Sequence, residues 1–108
     1  MLYELRIYHI NPGKMQAIQD RFKNHVIQLF DNHDMKITHF WEESDGDRLF
    51  YIVEHENMEQ RNVNYDRFRN DPAWIEVKKN SEINGALIHK QESIFMKDVS
   101  FFENKKAH

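Results

Sequence analysis

Two runs that alternate apolar and polar residues, Met35 to Glu43 and Arg48 to Glu56, are separated by Ser44-Asp45-Gly46-Asp47. Asp-Gly between such runs signals a tight hairpin, because these two residues tolerate the backbone angles that short strand connections demand. The turn also sets a register. If Ser44 faces Asp47, Trp41 pairs with Phe50, Phe40 with Tyr51, His39 with Ile52 and Thr38 with Val53. Paired residues share a face, so this one turn sorts the side chains of both strands onto two sides of a sheet.

The rest of the chain arranges itself around that hairpin. Leu2 to Ile10 alternates with a period of two and predicts a first strand, with Tyr3, Leu5 and Ile7 on one side and Glu4, Arg6 and Tyr8 on the other. At Asn11-Pro12-Gly13 the period changes. Met15, Ile18, Phe22, Val26, Leu29 and Phe30 are three or four residues apart, which predicts a long helix ending near Asn32-His33, with Asn11 as its cap. After the hairpin, Asn57-Met58-Glu59-Gln60 has the form of a capping box opening a polar helix to about Asn70. Asp71-Pro72 stops that helix and starts another over Ala73 to Asn84, closed by Gly85. Ser93 to Phe101, rich in Ile, Phe, Met and Val, predicts a fourth strand. The order βαββαβ, with right-handed crossovers, is that of an α+β ferredoxin-like fold: a four-stranded antiparallel sheet with its helices on one side. It occupies residues 1–102, followed by a polar tail over 103–108.

Composition narrows the function classes. At 108 residues the chain has the size of one domain, and its 18 acidic and 15 basic residues are interspersed, which argues against a nucleic-acid surface. No apolar run approaches the roughly 18 residues that cross a bilayer, and Met1 to Arg6 lacks the order of a signal peptide, so the expected location is the cytoplasm. Cysteine is absent, which excludes disulfides, thiolate nucleophiles and cysteine-held metals.

Helices cover only one face of such a sheet. Leu5, Ile7, Phe50 and Ile52, with Ile37 and Trp41 beside them, are the more apolar set and are expected to meet the helices. Glu4, Arg6, Tyr8, Phe40, Tyr51, Val53 and His55 would then face outward. Phe40, Val53 and two tyrosines on an open face form a patch that seeks a partner, and a second copy of the same chain is the economical one.

Tyr3-Glu4-Leu5-Arg6-Ile7-Tyr8 followed by Pro12-Gly13-Lys14, then Phe40-Trp41, Arg61 and Asp71-Pro72-Ala73-Trp74, resembles the NIPSNAP family of the dimeric α/β-barrel superfamily. The likeness runs from Leu2 to about Phe101. It implies two ferredoxin-like protomers packed sheet against sheet around a central barrel. Family members generally have no established reaction, and the superfamily includes cofactor-free monooxygenases, haem-linked enzymes and stress-response proteins. The chain departs from the family pattern at Val53 and His55, where Trp and Tyr are expected.

Two functions follow as expectations. The first is a homodimer that binds a small hydrophobic or aromatic ligand in the barrel, or serves as a structural module. The second is a cofactor-independent monooxygenase-like enzyme. Arg6, Tyr8, Phe40, Tyr51 and His55 are the candidate ligand-binding residues: arginine holds an anion and histidine moves a proton near neutral pH. The competing structural reading has Glu4 and Arg6 as an ion pair across the interface between copies and the aromatics as packing. No cofactor or metal is expected, since His39 and His55 fall on opposite faces and no His-x-His or His-x-x-x-His spacing occurs. Arg61, Tyr65 and Arg69 recur every four residues and are read as a solvated helix face.

Overall fold

The computed structural model describes residues 1–104, and most of the expected tail, residues 105–108, lies outside the described residues. Four strands form one antiparallel sheet: β1 (Leu2–Ile10), β2 (Lys36–Glu42), β3 (Arg48–His55) and β4 (Ile88–Lys97), in the order β2-β3-β1-β4. Between β1 and β2 runs a continuous helical segment in three parts: α1 (Met15–Arg21), a π-helical turn over Phe22–Val26, and α2 (Ile27–Asn32). α3 (Met58–Arg69) and α4 (Pro72–Ser81) connect β3 to β4. This is the ferredoxin-like α+β arrangement that the sequence predicts.

The start and stop residues behave largely as their chemistry requires. The Asn57 side chain accepts from the Gln60 backbone at 2.8 Å, and Asp71 accepts from Ala73 at 2.9 Å, with Pro72 in the first turn of α4. Asn11 does not cap α1. Lys14 holds that position without a side-chain bond, while Asn11 donates to the Ala86 carbonyl and so ties the first turn to the entry of β4. Gly13, at φ +76°, makes the reversal between them. β4 starts at Ile88 rather than Ser93 and stops at Lys97, because it pairs with the whole of β1 from Leu2 to Ile10. The apolar residues beyond it, Val99, Phe101 and Phe102, are exposed.

The hairpin register holds at Trp41–Phe50, Phe40–Tyr51 and His39–Ile52. It fails at Thr38. An irregularity between Ile37 and His39 sets Ile37 opposite Val53, which moves Ile37 to the helix side, where it packs on the core.

The assignment of the two sheet faces is reversed relative to the expectation. Glu4, Arg6, Tyr8, Tyr51, Val53 and His55 are buried beneath the helices, and Phe40 stacks among them. Leu5, Phe50 and Ile52 are only half-buried, and Trp41 and Ile94 are about half exposed, at 50% and 48%. The reason lies in what the helices bring. Phe22 and Phe30 pack against Tyr8 and Tyr51 at ring separations of 5.2–6.3 Å, Tyr65 and Phe68 pack in turn on Phe30 at 5.7 and 4.8 Å, and α3 supplies a cation for Glu4. Polar identity alone does not keep a residue outside when matching donors arrive with the covering layer.

Phe30 joins the aromatic rings of the sheet to those of α3, in contact with Tyr51, Tyr65 and Phe68. Phe30→Ala should lower the unfolding free energy by about 3–5 kcal/mol in urea titrations followed by circular dichroism.

Candidate functional site

Four elements converge on one carboxylate. β1 carries Glu4 and Arg6 on its helix-facing side, β3 ends at His55, α3 projects Arg61 from its first turn, and β4 supplies Ser93. Glu4 has no exposed surface. Its Oε1 accepts from His55 Nε2 and Arg61 Nε, both at 3.0 Å. Its Oε2 accepts from Arg61 Nη2 at 2.8 Å, Arg6 Nη1 at 3.0 Å and Ser93 Oγ at 2.7 Å. Burial by itself would push this carboxyl up. Hydrogen bonds from His55, Arg61 and Ser93, with the Arg6 charge, outweigh burial and hold it well below the usual carboxylate range. An ionised carboxylate only accepts, so the His55 nitrogen facing it carries the proton.

Arg6 lies between that carboxylate and three phenols. Its guanidinium carbon is 4.8 Å from the Tyr65 ring centre, 5.6 Å from Tyr8 and 6.0 Å from Tyr51. Nη2 donates to the Tyr8 hydroxyl at 3.4 Å, and Tyr51 donates to the same hydroxyl at 2.8 Å. Burial opposes the Arg6 charge, but the surrounding tyrosines and Glu4 hold its pKa above the ordinary value. Burial also raises the Tyr51 and Tyr65 phenols, which stay neutral at physiological pH. Arg6 Nε, His55 Nδ1 and the Tyr65 hydroxyl are buried without a hydrogen-bond partner among the described residues.

Arg6, Tyr8, Tyr51 and His55 are therefore one contiguous set, and Phe40 closes its margin by stacking on Tyr51 at 5.0 Å. They lie inside the protomer rather than on the open face. Sequence reading missed Glu4 as the centre, and Arg61, Tyr65 and Ser93 as members. The four-residue spacing of Arg61 and Tyr65 was the available signal. Asn64, Tyr65 and Phe68 are buried and turn that stripe inward, leaving only Arg69 solvated beside Asp66. Arg61 keeps 16% side-chain exposure and is where the cluster meets the surface.

Two other regions concentrate polar groups. The open sheet face forms a groove of about 1280 Å³ lined by Tyr3, His39, Trp41, Ile52, Met96 and Phe101, with His39 stacked on Trp41. A second groove, of about 580 Å³, runs between α1 and α4 past Arg21, His25, Glu76 and Asn80. Arg21 there ties the helices together through Glu82 at 2.9 Å and Ser81 at 3.2 Å, while stacking on Trp74. Among the described residues no three His, Asp or Glu side chains gather as a metal site, and no helix is long and apolar enough to cross a membrane.

Residues 3–103 match the sequence model of the NIPSNAP family. The chain belongs to the NIPSNAP family. An uncharacterised NIPSNAP domain protein from Burkholderia xenovorans superposes with a TM-score of 0.81 at 19% identity, covering 96% of this chain and all of that one. A NIPSNAP family protein of unknown function from Agrobacterium tumefaciens, Atu4242, gives 0.81 at 21% identity, covering 94% and 91%. A monooxygenase from Streptomyces coelicolor, ActVA-Orf6, in complex with nanaomycin D, gives 0.67 at 12% identity, covering 96% and 92%. At these identities the similarity establishes the fold. No protein of curated function matches the sequence.

The Glu4 cluster makes stability depend on pH in a defined sense. Glu4 is depressed below its ordinary 4.5, so its contribution is complete above that value and is lost as pH falls beneath it. Tyr51 and Tyr65 are raised above 10.0, so theirs is complete below that value and is lost as pH rises past it. Urea midpoints should therefore form a plateau between these limits. Glu4→Gln should cost about 3–5 kcal/mol at pH 7, by leaving Arg6 and Arg61 without their counter-charge, and should flatten the acid limb.

Proposed function

We propose that this NIPSNAP protein is a cytoplasmic homodimer whose protomers each bind a small aromatic or hydrophobic molecule at the Arg6, Tyr8, Phe40, Tyr51 and His55 cluster. The observation that carries the ligand reading is the buried charged and phenolic cluster itself. Core ion pairs can often be replaced by apolar residues with no loss of stability, so the fold does not call for two guanidinium groups, a carboxylate and three phenols at its centre. Binding sites have this composition: aromatic walls with a few convergent polar groups. The three unpartnered polar atoms add to it, because native interiors rarely leave such groups unpaired. A monooxygenase-like activity has the fold in its favour, and no residue pattern in this chain adds to that.

The dimer reading is supported by the opposite face. Trp41 and Ile94, with half-buried Leu5, Phe50 and Ile52, form a continuous apolar surface on an open sheet. Light scattering after gel filtration should give twice the 13.2 kDa protomer mass. A Trp41→Asp, Ile94→Asp variant should elute as folded monomer. A native chain of 13.2 kDa at micromolar concentration would refute the dimer.

The ligand reading is tested by native mass spectrometry of the purified protein. A co-purified small molecule should be present on the native chain and absent from an Arg6→Ala, His55→Ala variant that retains its circular dichroism. Retention of the molecule by that variant would move the site elsewhere.

A further inference from the structure

We infer that the Arg6, Tyr8, Tyr51 and Tyr65 cluster is an oxyanion site, and that the bound molecule is an acid presenting a carboxylate or an ionised phenol or enol. This rests on the ligand-binding reading above and specifies its chemistry. The starting point is a count of donors and acceptors. Glu4 accepts five hydrogen bonds on two oxygens and has no capacity left for another donor. Arg6 Nε–H and the Tyr65 hydroxyl have no acceptor. The Tyr8–Tyr51 pair leaves one further phenolic proton over, whichever of the two donates, because Arg6 Nη2 also points at Tyr8. The cluster thus holds surplus donors around Arg6, while its unpartnered acceptors are only the His55 Nδ1 nitrogen and neutral phenol oxygens.

Charge points the same way. One carboxylate faces two guanidinium groups, which leaves one positive charge in excess, shared between buried Arg6 and part-exposed Arg61. A neutral apolar guest would leave the donors unpaired, and a cation would be repelled. Water would answer the donors but not the charge. A negatively charged oxygen answers both, through short charge-assisted bonds from Arg6 and the phenols. The cluster comes nearest the surface on the α3–β4 side, where Arg61 is partly exposed and stacks 5.2 Å from the ring of Phe95, itself 40% exposed. That ring offers an apolar surface beside Arg61 for the body of the acid.

The test is a titration of the full chain with benzoate, its neutral analogue benzyl alcohol, and formate, read from tyrosine ring resonances by NMR. Benzoate should shift Tyr8, Tyr51 and Tyr65 and bind at least about tenfold more tightly than benzyl alcohol. Tyr65→Phe removes only an unpaired hydroxyl and keeps the ring, so the fold should persist. It should weaken benzoate about five- to tenfold and leave benzyl alcohol unchanged. If formate binds as tightly as benzoate, the oxyanion site stands and the aromatic-ligand reading fails. If benzyl alcohol equals benzoate and Tyr65→Phe changes neither, the ligand site stands and the oxyanion inference is overturned. If none of the three moves these resonances, both are overturned.

Discussion

Glu4 is an ionised group with no contact with water, and satisfying it requires donors from separate parts of the chain to be present together. Desolvating a carboxylate costs several kcal/mol, and partial pairing would leave much of that cost standing. His55 at the end of β3, Arg61 in α3 and Ser93 in β4 each supply part of the answer, and Arg6 two residues along β1 supplies the rest. The register of β1 against both its neighbours and the placement of α3 over the sheet are thereby tied to two oxygen atoms. A slip of one residue in either pairing would turn Glu4 to the open face and strand two guanidinium groups beneath the helices.

That constraint divides the sheet between two tasks. The covered face holds the charges and phenols, walled by aromatic rings from the helices, where a low dielectric strengthens every polar contact. The open face is apolar at its centre and polar at its end, where the Glu43–Arg48 and His9–Glu92 pairs lie in reach of solvent. A partner laid on the open face would not meet the Glu4 cluster, so the two proposed roles, association and ligand capture, would be separable by substitution. Trp41 and Ile94 lie on the open face, and Arg6 and Tyr65 beneath the helices.

Much of the architecture was legible because local rules and tertiary structure agree. Asp45-Gly46 placed the hairpin, Asn57 and Asp71-Pro72 placed the last two helices, and the change of period after Ile10 placed the first. The site was legible only in part. Arg6, Tyr8, Phe40, Tyr51 and His55 were recognised as one set because strand alternation puts them on one face. Arg61, Tyr65 and Ser93 come from elsewhere in the chain, and no spacing rule links residues 57 to 89 positions distant from Glu4. The end of β4 was misplaced for a related reason: an apolar run extends past the strand into Val99, Phe101 and Phe102, and only β1's length decides where pairing stops.

The sequence by itself determined the elements, their order and which side chains travel together, since periods of 2 and 3.6 are properties of the backbone. Which face of the sheet lies inside was a tertiary decision. Both faces carry large apolar or aromatic side chains, so alternation alone leaves two solutions. The choice falls to the face whose polar groups find partners in the covering helices, and α3 brings Arg61 to Glu4.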